Sequence, residues 1–105
     1  MGHRDKVFIK VEDIVYVITH HDSRNKIIKL TDGSEHVIMH YTMAEILNFA
    51  PHLLRPNKSE LVSRNIIFAH GFDHIYIKIP NNEEKKMVNI GYNFSKNFKL
   101  QLLNT

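Results

Sequence analysis

The sequence predicts a mostly β, α+β protein: an elongated arrangement of short antiparallel sheets with one clear central helix and a short C-terminal helix. Three observations carry this. Short runs rich in β-branched and aromatic residues recur through both halves of the chain. Turn-forming residues such as Asp32-Gly33, Gly71-Phe72-Asp73 and Pro80-Asn81-Asn82 separate them. The apolar period lengthens to a helical one at only two places, after Thr42 and after Tyr92.

Val7-Phe8-Ile9-Lys10-Val11 opens the series as a short β-prone run, and Asp13 to Thr19 follows as a strand apolar enough to be buried on both faces. The polar stretch His20 to Asn25 separates it from a strand over Lys26 to Leu30. Asp32-Gly33 is a hairpin signal, and Glu35 to His40 is the returning strand. Thr42-Met43-Ala44-Glu45 then has the form of a capping box. Met43, Ile46, Leu47 and Ala50 fall on one helical face, and Pro51 ends the helix. A turn around Pro56 leads into a short mixed segment, Asn57 to Ser63. Strands are expected at Asn65 to His70, His74 to Ile79 and Lys86 to Ile90, with a turn at Pro80 to Glu84. Phe94, Phe98 and Leu102 stand at helical spacing in an amphipathic stretch from Tyr92 to Leu103.

At 105 residues the chain suits one domain spanning 1–105, with residues 1–5 expected to be flexible. It has no cysteine, which excludes disulfide frameworks, thiolate nucleophiles and Cys-containing zinc sites. No apolar run approaches the roughly 20 residues that span a bilayer, and no signal-peptide pattern opens the chain. A cytoplasmic location without membrane attachment is the expectation. The formal charge of +3 is compatible with nucleic acid, but the distribution of charge matters more.

The eight histidines offer three pairs: His20-His21, His36/His40 and His70/His74. In a strand His36 and His40 stand about 13 Å apart, too far to share one zinc. Neither Asp nor Glu completes a recognisable metal signature around any pair, so no metal and no cofactor is expected. Catalysis is not expected either. The glycines are isolated, no Ser-His-Asp order has a strand-turn-helix setting, and Asp32, Glu35, Glu83 and Glu84 read as solvated turn carboxylates.

Three polar clusters remain. Arg24, Asn25 and Lys26 sit at one strand junction. Arg55, Asn57, Lys58, Ser59 and Arg64 follow the first helix. Tyr92 and Asn93, with Ser95, Lys96 and Lys99 beyond, follow Gly91 where the last strand meets the terminal helix. Arg and Lys bond phosphates and guanine edges, and Asn bonds adenine, so such clusters suit duplex DNA.

The order of these pieces resembles the LytTR domain, the DNA-binding output module of many bacterial response regulators in two-component systems. The resemblance rests on Asp13-Ile14-Val15-Tyr16-Val17, then Asp32-Gly33, then Thr42-Met43-Ala44-Glu45-Ile46-Leu47, and on Arg55-Pro56-Asn57-Lys58-Ser59-Glu60-Leu61-Val62-Ser63 at the family's signature segment. It runs from about Lys6 to Leu102. It implies sequence-specific binding of promoter DNA for transcription regulation, with loops entering successive major grooves. Arg24 stands as the base reader with Asn25 beside it; Lys58 and Asn57 stand where the family often has arginine and histidine, and Ser59 matches the family. Ser63 replaces a frequent asparagine, and Gly91 falls near a frequent arginine, for which Tyr92, Asn93 or Lys96 would substitute.

On this reading about 5 or 6 Lys/Arg residues neutralise phosphates, and two copies sit on direct repeats as a homodimer on DNA. The chain is then either the excised C-terminal part of a response regulator or a freestanding regulator controlled by a partner protein. The alternative is a protein-interaction module on the same fold that has lost DNA binding, using an exposed edge strand such as His74 to Ile79 for strand pairing.

Overall fold

The computed structural model describes residues 8–20, 25–82 and 85–103. The segment 1–5, Val7, His21, Arg24 and the Glu83-Glu84 turn lie outside these residues. The expected class is observed: strands hold 44% and helices 28% of the described residues, in two antiparallel sheets with two α-helices. The principal extents of 49 × 28 × 24 Å make the molecule elongated.

The first five strands in chain order are β1 (Ile14–Thr19), β2 (Asn25–Leu30), β3 (Glu35–Met39), β4 (Leu53–Asn57) and β5 (Glu60–Ser63). They form one sheet in the order β3-β2-β1-β5-β4. A second sheet orders β6 (Ile67–His70), β7 (His74–Lys78) and β8 (Lys85–Asn89) in sequence. Helix α1 (Met43–Phe49) follows β3, and α2 (Ser95–Leu103) closes the chain.

The larger sheet is a wall between two cores. On one face Ile14, Val17, Ile28, Leu53 and Leu61 meet Met43, Ile46 and Ala50 of α1 and its C-cap. On the other, Val15, Tyr16, Leu54 and Val62 meet Ile75, Ile77 and Val88 of the second sheet, with Phe98 and Leu102 of α2. Adjacent residues therefore serve opposite cores, as strand alternation requires. The expected two-sided burial of β1 follows. A bulge between Ile14 and Tyr16 modifies the alternation: two steps on β1 match one on β2, so Val15 and Tyr16 both turn toward the second sheet.

Local signals explain the helix and hairpin. Thr42 accepts from the Glu45 amide at 3.0 Å while Glu45 accepts from the Thr42 amide at 2.9 Å, completing the capping box. In the β2–β3 turn the Gly33 amide donates to the Leu30 carbonyl, and Gly33 sits at φ +85°, the left-handed value a three-residue hairpin loop needs. Asn81 from the β7–β8 turn, itself at φ +61°, donates to the Asp32 carbonyl. A β-carbon at residue 33 would lie 2.8 Å from that of Asn81, so glycine lets the turns of the two sheets meet.

Several expectations change. Residues 8–10 form no strand, and Val11–Asp13 is a 3-10 turn. The turn expected around Pro56 is strand β4, and the mixed segment after it is largely β5. Pro56 is tolerated because β4 is an edge strand with a bulge between Leu54 and Asn57. Arg64–Ile66 is a 3-10 turn, so β6 begins at Ile67; Ser63 accepts from the Asn65 amide and caps that turn. His74 to Ile79 is no edge strand either, because β7 is paired on both sides. Among the described residues no helix is long and apolar enough to cross a membrane.

Candidate nucleic-acid interface

Strand register brings most of the polar clusters to one end of the larger sheet. Thr19 pairs with Lys26, and its amide donates to the Ser59 carbonyl at 2.9 Å. The β1–β2 junction therefore lies beside the β4–β5 turn. The Gly91 amide donates to the Pro56 carbonyl at 2.8 Å, which adds the junction between β8 and the terminal helix. Residues near 25, 58 and 92 thus meet at one end although more than sixty positions separate the first from the last.

The members of this end differ in what they offer. Lys58, Ser59, Asn93 and Lys96 are exposed, and Tyr92 is 95% exposed. Asn25 is half-buried at the start of β2. Arg24 lies outside the described residues.

Other expected contacts have structural work instead. Lys26 is only 6% exposed, because alternation in β2 puts it on the same face as Ile28 and Leu30. This corrects its reading as a loop cation. Asn57 donates from Nδ2 to Glu60 Oε1 at 3.0 Å and to the Asn89 carbonyl at 2.8 Å, and its Oδ1 accepts from the Ser59 amide. Both amide hydrogens are committed, so Asn57 builds the turn and ties it to β8. Arg64 stands at the far end of β5, where its Nε donates to the Leu102 carbonyl in the last turn of α2. A cation there complements the helix C-terminus, and the opposite end of the sheet is the wrong place for a shared interface.

Two organising features were not evident from sequence. Arg55 donates to the carbonyls of Asn57 and Lys58, and its guanidinium lies 5.1 Å from the centre of the Phe94 ring. It clamps the turn that presents Lys58. Below it, the Tyr16 hydroxyl donates to Glu60 Oε2, while Lys86 Nζ lies 3.8 Å from the same carboxylate oxygen and 4.9 Å from the Tyr16 ring centre. Burial, with the Glu60 carboxylate as acceptor, holds the Tyr16 phenol far above its ordinary pKa. The signal available in sequence was alternation: Glu60 shares a face with Val62, so the carboxylate had to point inward and find donors.

Gly91 sits close to the β4–β5 turn: a β-carbon there would press on the edge of the Phe94 ring at 3.3 Å and reach ordinary contact with Asn57 at 3.5 Å. Among the described residues no three His, Asp or Glu side chains cluster as a metal site. No protein-family model matches the chain, and no curated protein matches its sequence.

Proposed function

We propose that this chain is a LytTR-type, sequence-specific duplex DNA-binding module of a bacterial transcription regulator acting in the cytoplasm. The observation that carries the proposal is the convergence of the β1–β2 junction, the β4–β5 turn and the Gly91–Lys96 junction at one end of an elongated molecule. A row of short turns with exposed Lys58, Ser59, Asn93 and Lys96 suits a major groove, where lysine and asparagine meet base edges and phosphates.

Lys26 and Arg64 leave the expected set of phosphate contacts, so Arg24, Lys58 and Lys96 remain as the principal cations. Three contacts correspond to a log–log salt slope of about −3 for each bound copy, and two copies on direct repeats to about twice that. The test is selection from a randomised duplex library, followed by affinity for the winning site across a salt series. A recovered repeated motif with this slope supports the proposal. Failure to enrich any sequence, with weak duplex binding even at low salt, overturns it.

A further inference from the structure

We infer that the outer face of the three-stranded sheet is a stacking platform for a single-stranded nucleic acid. This face lies away from the buried Ile75, Ile77 and Val88, and register arranges it in rows. His74 stands opposite Asn89, Tyr76 opposite Met87, and Lys78 opposite Lys85. The bulge between Ile67 and Ala69 leaves Phe68 exposed beside Tyr76, their ring centres 6.1 Å apart. The His74 ring lies 5.1 Å from Tyr76 on the other side, with its Nδ1 held by the Asp73 carboxylate. Lys85 Nζ sits 5.1 Å from the centre of the Phe68 ring.

An occupant of this face must supply flat π surfaces over its middle and negative charge at its lysine end. Phe68 and Met87 are about half exposed. A purely apolar protein surface would bury Lys78 and Lys85 without partners, at a large desolvation cost. A duplex keeps its base faces inside. A single strand offers a base and a phosphate in every unit, and aromatic side chains with flanking cations bind it with little regard to sequence. From His74 to Lys78 the strand runs about 13 Å, room for two or three bases. The described strand residues of the face carry no carboxylate, and Asp73 beside them, at the end away from Lys78 and Lys85, is engaged by the His74 ring. This inference does not rest on the duplex reading, which concerns other residues at one end of the larger sheet.

The test measures fluorescence anisotropy of labelled oligo-dT, oligo-U and a duplex with the full chain at low salt. Saturable binding to a single strand is expected; relative affinity for oligo-dT and oligo-U distinguishes a DNA from an RNA occupant. Phe68→Ala, on an edge strand, and Tyr76→Ala should each weaken it by about 5- to 100-fold, with Tyr76→Phe retaining it and far-UV dichroism unchanged. Lys85→Ala should weaken single-strand binding and flatten its salt dependence. Duplex affinity should respond to Lys58→Ala and not to Phe68→Ala, which separates the two readings. Absence of single-strand binding, or binding indifferent to Phe68→Ala and Tyr76→Ala, overturns the inference. So does a dimer in sedimentation that the same substitutions dissociate while single strands stay unbound.

Discussion

Tyr16 is the residue on which sheet packing and polar chemistry meet. Its ring is buried between the sheets while its hydroxyl donates to Glu60. The protonated phenol is favoured in the folded state, so this contribution is complete below the ordinary phenol pKa near 10 and is lost as pH rises above it. Tyr16→Phe should cost about 1.5–3 kcal/mol at neutral pH, because a carboxylate loses a buried donor. It should also flatten the decline in stability above about pH 10, as urea melts across that range would show. At the candidate interface Lys58 and Arg64 make opposite predictions. Lys58→Ala should lower duplex affinity by about 1–3 kcal/mol if the side chain reads a base, with thermal stability unchanged. Arg64→Ala should leave affinity unchanged and lower the melting temperature, since its guanidinium holds the Leu102 carbonyl. Parallel binding and melting curves distinguish them.

Among the elements, α1 depends most plainly on its own sequence. It has seven residues, too few to persist alone, so its first turn relies on the Thr42–Glu45 box and its buried face on the larger sheet. Thr42→Ala should destabilise the protein by about 1 kcal/mol. Glu45→Gln, which retains an acceptor, should cost less; thermal melts of the two variants test the order. The β4–β5 turn behaves differently, because its shape is imposed by Arg55 and Asn57 reaching across to carbonyls and to β8. Its exposed tip carries the lysine, and its stems carry the order.

For the whole molecule, the larger sheet is shared by two cores, which predicts a single cooperative transition. Leu61 and Val62 are neighbours with no exposed surface, one facing α1 and the other facing the second sheet. Leu61→Ala should cost about 2–5 kcal/mol. It should shift the far-UV and tyrosine-fluorescence transitions together, although the buried Tyr16 belongs to the other core. Transitions that separate would show the two layers unfolding independently.

Alternation, turn chemistry and capping are local properties, and the features that depend on them were legible in the chain's residues alone. These were the mostly β class, the two-sided burial of β1, the Asp32-Gly33 hairpin, the capped α1 and a terminal helix that buries Phe98 and Leu102, although it starts at Ser95 because Tyr92–Phe94 is a 3-10 turn. The sequence also marked Lys58, Ser59, Tyr92, Asn93 and Lys96 as residues of exposed junctions. Tertiary structure decided the rest. Pro56 hid an edge strand, because proline rules out only the pairing that an edge does not need. Lys26 and Arg64 looked like free cations until register placed one on a core face and the other at the far end of the sheet. Asn57 looked like a base reader until its amide found Glu60 and Asn89. The wall with two cores, the meeting of the three junctions and the aromatic rows on β6, β7 and β8 all depend on which strands pair. Pairing between distant segments is set by how all the apolar faces are buried at once, and no local window contains that information.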